Sequence, residues 1–543
     1  MNTKLINIFS LILISFSIIF SVFISFYAID KRFIGKDQES HFYDMKQYYK
    51  NKEFPTMGAR FISTDSITSP KVPGGAYYIL YTFFYKIANE NLFIAKIINL
   101  IFNFIIIYIF LFWFYKKFGI FISSIMSAIF LLNPYLIMSI TDFWNPNITS
   151  IFSLFLFIFL YEYIGGDNEN IKKISAVLIF PVLAIMAQGH FVVFFSMIPT
   201  LIVYLIIRFS KTKKYTLFWI IGVFISFLLY LPYLIHEIKT DFTNLRYAMN
   251  MREGLSSIPF PQVYFILLFP TNEMSAIFGT RIGSFIHFWF TKPVYFYGLI
   301  FLIISVLFSL FVFIKSLIFL ILNKAKINNN KENSKVRTLK EIIFILILFI
   351  PITIISFIVF KSKAGTFHYL YSAYSISFAP MILFFYQMQL KMQSKLQNQN
   401  LNIKLSSIYI YIYIILALNI LSMAGQLMRY FNLFEEPRNY KSHYQLLQFL
   451  EKESEDENIE IYDNFSGTLR NQYIDIFNTY FPNHKANFSS NAKIVYAIKD
   501  NVVEKNWDAN RVQKDMEYLI QNNAVELTNI KGFTIYKFTK NDN

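Results

Sequence analysis

The chain has 543 residues, of which 55% are apolar, 20% aromatic and only 15% charged, with a formal net charge of +16. Soluble domains average about 25% charged residues, so this composition is typical of a membrane protein and excludes an ordinary soluble enzyme. The chain contains no cysteine, which excludes disulfides, thiolate nucleophiles and cysteine-ligated zinc.

Long apolar segments follow one another from the N-terminus to about residue 425. A helix needs about 20 apolar residues to cross a bilayer, and backbone in hydrocarbon must be helical to satisfy its polar groups. The first segment lacks a small-residue cleavage site and is longer than a signal-peptide core, so it is predicted to be an uncleaved span. Eleven spans are predicted: 5–28, 93–115, 118–137, 149–165, 174–188, 191–207, 216–235, 293–319, 342–360, 370–388 and 405–425.

The positions of the basic residues predict the orientation of these spans. With the N-terminus in the cytoplasm, the inner loops carry 17 lysines and arginines in about 49 residues, and the outer loops carry 15 in about 124. Positive charge concentrates in the cytoplasmic loops of membrane proteins, so this orientation is favoured. Topology therefore explains most of the net charge, and no nucleic-acid partner is predicted.

From about residue 427 the composition becomes that of a soluble domain. Helical periodicity over 440–457 is followed by short strand-like runs at 459–462, 492–500, 524–527 and 533–538. This alternation predicts a small α/β domain, and an odd number of spans places it outside the membrane. The predicted fold class is thus an all-α polytopic membrane domain, residues 1–426, followed by an extracytoplasmic α/β domain, residues 427–543.

A charged loop, residues 29–92, follows the first span. Ionisable groups near a bilayer are costly unless they face water or a polar cavity, so this loop is predicted to be a working site. Asp37 is suited to remove a proton from an acceptor hydroxyl as general base, and Gln38 and Glu39 lie beside it. The alternative is a solvated loop acid. No organic cofactor is indicated, and a divalent cation beside a phosphate leaving group is a second hypothesis for the acids.

The rest of this loop predicts two short elements at the membrane surface. Residues 41–58 have apolar and aromatic side chains at helical spacing, which is typical of an amphipathic surface helix. Pro73, Gly74 and Gly75 then break the helix. Tyr77 and Tyr78 follow where interfacial aromatic residues are expected. Only about 15 apolar residues come next, so a re-entrant or surface helix is predicted rather than a crossing.

Three further polar breaks are predicted to face the first loop across an outer cleft. They comprise Asp142, Trp144, Asn145 and Asn147, then Gln188 and His190, and finally Lys361, Lys363, His368 and Tyr369. The first two groups are candidates to hydrogen-bond a substrate, and the third suits an anionic lipid phosphate. The structural alternatives are an interfacial tryptophan beside an Asn-Pro turn, a packed histidine and lysines that snorkel from a helix end. The large outer loop 236–292 is predicted to form surface helices over a lipid groove, with Arg246, Arg252 and Arg281 as phosphate partners.

Asp37-Gln38, the surface helix and the Pro-Gly-Gly-Ala-Tyr-Tyr sequence at 73–78 resemble the first outer loop of the C-type glycosyltransferases. The likeness is to the branch that contains the protein O-mannosyltransferases and the lipid A aminoarabinose transferase, and it covers about residues 1–390. It implies transfer of a sugar from a polyprenyl-phosphate donor to a lipid, glycan or protein acceptor on the outer face of the cytoplasmic membrane, with Asp37 as catalytic acid/base. Many relatives have a second acid where this chain has Gln38, which weakens a metal site at this pair and leaves Glu39 and Asp142 as the other acids for a metal.

Two alternatives stay open. A lipid-linked oligosaccharide transporter or flippase would place ionisable residues or broken helices near the bilayer midplane. A polysaccharide polymerase or ligase would use basic residues of a large outer loop rather than an early acid. The polar groups of this chain collect on one predicted face, which favours an interfacial transferase.

Overall fold

The computed structural model describes residues 3–31, 36–61, 70–250, 264–268, 293–322, 333–359, 367–397, 416–417, 420–421, 439–462, 472–500, 509–530 and 532–540. Its membrane part is helical. The helices are α1 (Thr3–Ile29), α2 (Lys36–Lys50), α3 (Ala76–Ile87), α4 (Leu92–Phe118), α5 (Ile120–Leu131), α6 (Pro134–Ile140), α7 (Asn145–Gly165), α8 (Glu169–Gly189), α9 (Met197–Ile207), α10 (Phe209–Thr212), α11 (Thr216–Lys239), α12 (Thr243–Asn250), α13 (Phe265–Leu268), α14 (Pro293–Leu322), α15 (Ser334–Val359) and α16 (Ala379–Gln397).

Six helical segments within the described residues are long and apolar enough to cross a membrane, and three shorter apolar ones accompany them. They bury a continuous apolar core between them. The predicted fold class, a polytopic helical membrane protein with a small C-terminal sheet domain, is confirmed.

Two predicted spans are not continuous helices. The span 118–137 breaks at Asn133, because the following Pro134 disfavours helical backbone at the residue before it. The Asn133 side chain then caps α6 by accepting a hydrogen bond from the Tyr135 amide at 2.9 Å. The span 370–388 begins as two 3₁₀ turns, Phe367–Ala373 and Ile376–Phe378, and only then continues as α16. The span 405–425 lies almost wholly outside the described residues.

The first outer loop contains two short helices, but the first one spans Lys36–Lys50 rather than the predicted 41–58, because Lys52 has left-handed backbone (φ +54°) and residues 57–60 form a strand. Helix α2 buries Phe42 and Met45 on its apolar face. A hairpin of two antiparallel strands, β1 (Met57–Arg60) and β2 (Lys71–Pro73), leads into α3. Helix α3 has 12 residues, about 18 Å of helix, so it is too short to cross a bilayer.

The C-terminal domain is the predicted α/β unit. Its elements are α17 (Tyr440–Ser454), β3 (Asn458–Tyr462), α18 (Gln472–Tyr480), β4 (Asn487–Phe488), β5 (Ile494–Asp500), α19 (Ala509–Gln521), β6 (Val525–Ile530) and β7 (Phe533–Thr539). The five strands lie in the order β4-β3-β5-β7-β6. Strand β3 pairs in parallel with β4 and β5, and β7 pairs antiparallel with β5 and β6. One buried apolar cluster joins this domain to α2 and α3, so the domain sits directly on the first loop.

Candidate active site at one end of the helical bundle

Asp37 lies in the first turn of α2 and is half-buried. Its Oδ2 accepts a hydrogen bond from the indole Nε1 of Trp144 at 3.1 Å, which joins the first loop to the turn between α6 and α7. The Trp144 ring packs edge-on against the His368 ring, with 4.5 Å between centroids. Within the described residues Oδ1 of Asp37 has no hydrogen-bond partner, so one carboxylate oxygen is fixed and the other is available to a substrate.

Gln38 connects the same helix to a buried ion pair. Its Nε2 donates to Asp142 Oδ2 at 3.0 Å, and Lys96 Nζ lies 3.0 Å from Asp142 Oδ1. The side chains of Lys96 and Asp142 are only 2% and 0% exposed. An amide at position 38 suits this contact because it donates a hydrogen bond, whereas a second carboxylate there would repel Asp142. Gln38 therefore has a structural role that a second acid would not fill.

A second acidic group on α2, which the sequence analysis missed, is Asp44. Its Oδ2 accepts a hydrogen bond from the Tyr78 hydroxyl at 3.1 Å. Arg60 lies 3.4 Å from Oδ1 and Lys71 lies 3.9 Å from Oδ2. Two cations around one carboxylate leave a net positive charge, and both basic side chains remain partly exposed. The hairpin therefore presents a cationic patch next to Asp44 of α2.

His41 lies between the two acidic networks. It is four residues from Asp37 and three from Asp44, so all three share one face of α2. Its Nδ1 is 3.0 Å from the Tyr77 hydroxyl. Burial lowers the pKa of His41, although Asp37, Asp44 and Asp142 act in the opposite direction. The helical spacing of Asp37, His41 and Asp44 was the sequence signal that could have revealed this face.

A cluster of His190, His368 and Tyr369 borders Asp37. The His190 ring centroid lies 5.3 Å from that of His368 and 5.2 Å from that of Tyr369. Burial lowers the pKa of His190 to about 3, with Asp37 opposing the shift. Burial also holds the pKa of His368 well below its usual value, and His190 adds to this effect. Both imidazoles are therefore neutral near pH 7 and can exchange hydrogen bonds without adding charge.

Gln188 holds the glycine turn before α3. Its Oε1 accepts a hydrogen bond from the Ala76 amide at 3.0 Å, and its Nε2 donates to the Leu229 carbonyl at 3.2 Å. Gly74 has φ +91°, and a Cβ there would lie 2.4 Å from the Gln188 Cδ. Only glycine fits this position, because the backbone is left-handed and the Gln188 side chain fills the space.

The two asparagines predicted to bind substrate hold neighbouring turns. Asn145 Nδ2 donates to the Gly189 carbonyl at 2.9 Å, and Asn147 Nδ2 donates to the Asp142 carbonyl at 3.1 Å. The first bond ties the start of α7 to the end of α8, and the second holds the α6–α7 turn itself. Direct substrate contact by Asn145, Asn147 or Gln188 stays a prediction, and the geometry gives each of them a positioning role.

The structure gives no support for a metal site among the described acids. Among the described residues no group of three His, Cys, Asp or Glu side chains could hold a metal ion. Asp142 already has the Lys96 ammonium at its carboxylate, which takes the place that a cation would need. The side chains of Glu39, Lys361 and Lys363, like the residues Arg252 and Arg281, lie outside the described part of the chain. Arg246 is described, and it pairs with exposed Asp241 at 2.7 Å.

The C-terminal domain closes one side of the ion pair. The Tyr480 ring of α18 packs edge-on against the Phe42 ring of α2, with 5.3 Å between centroids. Lys96 Nζ lies 5.7 Å from the Tyr480 ring and 5.8 Å from the Phe42 ring. An aromatic residue from each side therefore faces the ammonium group and excludes water from it.

Fold and site together define a polytopic membrane protein with an acidic, histidine-lined site at one end of its helices. Two solved structures are similar to this chain, and both are of ArnT from Cupriavidus metallidurans. ArnT is the lipid A aminoarabinose transferase, which belongs to the group that the first outer loop resembles. The apo structure matches with a TM-score of 0.47 and 9% identity, and the structure bound to undecaprenyl phosphate with a TM-score of 0.49 and 10% identity. Each match covers 96% of this chain and 97% of the other. No family model matches the chain, and no curated protein matches it.

Proposed function

We propose that this chain is a glycosyltransferase that moves a sugar from a polyprenyl-phosphate donor to an acceptor on the outer face of the cytoplasmic membrane. The observation that carries the proposal is the half-buried Asp37 carboxylate, held by the indole of Trp144, whose ring packs against His368. The proposal includes a cytoplasmic N-terminus and an extracytoplasmic C-terminal domain. It covers hexosyl and pentosyl donors, with a lipid, glycan or protein as acceptor.

In this reaction the acceptor oxygen or nitrogen forms a bond to the anomeric carbon of the donor. The bond from that carbon to the phosphate oxygen breaks, and its electron pair leaves with the polyprenyl phosphate. Asp37 accepts the acceptor's proton through its available oxygen, the role for which a positioned carboxylate is suited. The Trp144 hydrogen bond fixes the carboxylate plane, so the base is oriented before the substrate arrives.

The departing phosphate gains negative charge, and preorganised cations stabilise such charge in a site with little water. Arg60 and Lys71 lie beside Asp44 of α2, and together their charge exceeds that of its carboxylate. Neutral His190 and His368 add hydrogen-bonding atoms without a charge that would compete for Asp37. Asp37 and Asp44, the carboxylate that holds these two cations, thus lie about two turns apart on one face of α2.

A transporter is disfavoured by the positions of the buried ionisable side chains. Among the described residues Lys96 is in the second turn of α4, Glu162 and Glu237 are in the last turns of α7 and α11, and Asp142 is in a turn. A transport site is expected near the bilayer midplane, where helices are broken. Charges at helix ends instead suit chemistry at the membrane surface.

The test uses the full-length protein in lipid nanodiscs with short polyprenyl phosphates that carry a labelled hexose or pentose. The readout is the polyprenyl phosphate released when the labelled sugar is transferred, either to an acceptor in a bacterial envelope extract or to water. Asp37→Asn should lower the rate by about 10²–10⁴-fold, the usual contribution of a general base. The matched control is Glu53→Gln, an exposed acid after α2, which should retain the wild-type rate.

Two outcomes would count against the proposal. Full activity of a folded Asp37→Asn variant would remove Asp37 from the chemistry. Lack of turnover of every lipid-linked sugar, together with movement of a labelled lipid-linked sugar across sealed proteoliposomes, would make the chain a transporter.

A further inference from the structure

The helical bundle has a second polar site at the end opposite Asp37. A cavity of about 300 Å³ is lined by the end of α7, the start of α8, the turns after α9 and the start of α15. Helix α8 begins near this cavity and ends at Gly189 beside the candidate active site. Its 21 residues span about 30 Å, so the two sites lie a bilayer thickness apart.

The cavity is strongly basic. Five basic side chains and one acidic side chain line it: Lys172, Arg208, Lys211, Lys214, Arg337 and Glu341. Arg208 pairs with Glu341 at 2.9 Å, and Lys214 pairs with Glu169 at 3.3 Å. Lys172, Lys211 and Arg337 have no ion-pair partner among the described residues. Like charges around one cavity repel each other unless an anion lies between them.

The same cavity has the features of a membrane interface. Tyr163, Tyr204 and Tyr215 line it, and tyrosine is enriched at the level of lipid headgroups. Ile206 and Leu217, on the flanking helices, are 67% and 64% exposed, so apolar surface continues from the cavity towards the lipid. A ligand with an anionic head and apolar tails would satisfy both surfaces.

We propose that this cavity binds the phosphate headgroup of an anionic membrane lipid in the leaflet at that end of the bundle. Lys172, Lys211 and Arg337 contact the phosphate, and the Arg208–Glu341 pair fixes α9 against α15 beside it. Basic pockets between membrane helices are suited to such headgroups. The proposal is independent of the glycosyltransferase reaction, because none of these residues lies near Asp37.

The test is native mass spectrometry of the full-length protein titrated with phosphatidylglycerol or phosphatidylcholine. The first phosphatidylglycerol should bind about tenfold or more tightly than phosphatidylcholine. The triple variant Lys172→Gln/Lys211→Gln/Arg337→Gln should lose that preference. The matched control, Lys116→Gln/Lys173→Gln/Lys213→Gln, removes three charges from the same end of the bundle, none of which lines the cavity, and should keep it.

Equal loss in the two triple variants would reduce the effect to general surface charge and overturn the proposal. Competition by inorganic phosphate distinguishes a lipid phosphate headgroup from a soluble phosphate ion as the ligand of the cavity. Displacement of the lipid by about 10 mM phosphate, and not by chloride of the same ionic strength, would assign the site to a soluble phosphate and also overturn it. If the triple variant fails to fold, Lys211→Glu provides the same test, because this side chain is exposed and its substitution leaves the core intact.

Discussion

Lys96 and Asp142 form an ion pair with Nζ 3.0 Å from Oδ1, and neither side chain has appreciable exposure to solvent. Lys96 belongs to a long membrane helix, and Asp142 to the turn that also carries Trp144. The pair therefore fixes α4 against the turn that orients Asp37. Removing one partner leaves an uncompensated buried charge, which costs far more than the pair itself contributes.

We expect Lys96→Met to destabilise the protein by about 3–5 kcal/mol, because the Asp142 carboxylate stays buried without its counter-charge. The double variant Lys96→Met/Asp142→Asn should regain much of this loss. Thermal unfolding followed by circular dichroism measures both. Arg246→Met breaks the exposed pair with Asp241, whose N–O distance is only 2.7 Å, and should change stability by less than about 1 kcal/mol. Additive effects of Lys96→Met and Asp142→Asn would contradict the coupling.

Trp144→Phe tests the positioning of the proposed base. The ring remains against His368, but the donor to Asp37 is lost. Hydrogen bonds to charged groups contribute about 1.5–3 kcal/mol, so kcat should fall by about 10- to 100-fold with a smaller change in KM. Trp113→Phe is the matched control, because Trp113 Nε1 donates to Glu162 Oε1 at 2.6 Å at the far end of the bundle. Equal losses in both variants would indicate a general tryptophan effect.

The sequence indicated the loops of the site more reliably than its internal contacts. Asp37 and Trp144 both stand in polar breaks between apolar runs, which predicts a functional site, and the structure joins them by a hydrogen bond. Lys96 was missed because it reads as one charge near the start of an apolar span, and its partner is 46 positions away. The packing between helices decides which residue of α4 faces Asp142, and no local sequence pattern predicts it.

The prediction of one continuous helical span over 370–388 is wrong for a related reason. An apolar run does not distinguish a continuous α-helix from the 3₁₀ turns that occupy 367–378. The serine side chains there bond locally or across helices: Ser377 Oγ donates to the Tyr374 carbonyl at 2.5 Å, and Ser375 Oγ to the Ser153 carbonyl at 2.5 Å. Such bonds compete with helical geometry. Helix α16 begins only where these serines end.

Gly74→Ala should impair activity, whereas Gly119→Ala should not. Both glycines have positive φ, +91° and +83°, so both variants lose about 1–3 kcal/mol to backbone strain. A Cβ at Gly74 would overlap Gln188, but nothing lies within 4 Å of one at Gly119. Only the first variant displaces the Gln188 side chain that holds the start of α3. Initial rates and unfolding temperatures separate the two effects, and equal activity in both variants would show that this turn tolerates movement.

The histidine cluster predicts destabilisation by acid. Burial lowers the pKa of folded His190 to about 3, whereas the unfolded chain binds this proton near pH 6.5. The unfolded state therefore carries more protons below pH 6.5, and stability falls as pH decreases through that window. His190 alone accounts for about 2 kcal/mol at pH 5.

His190→Gln should therefore flatten the decline of the unfolding temperature between pH 7 and 5. His236→Gln, which removes a histidine from the last turn of α11, controls for the substitution itself. An unchanged pH slope in His190→Gln would mean that His190 is protonated in the folded protein.

Tyr480→Ala tests whether the C-terminal domain positions the site. The substitution removes the ring that faces Lys96 and packs against Phe42, so α2 loses this contact with the C-terminal domain. Cation–π contacts contribute about 0.5–2 kcal/mol, and the turnover rate should fall by about 3- to 30-fold. Tyr480→Phe keeps the ring and should retain activity. The control is Tyr518→Ala, which removes a ring stacked on Tyr462 at 4.7 Å in the same domain and should lower the domain's stability alone. Wild-type turnover in a folded Tyr480→Ala variant would leave the domain without a role in positioning α2.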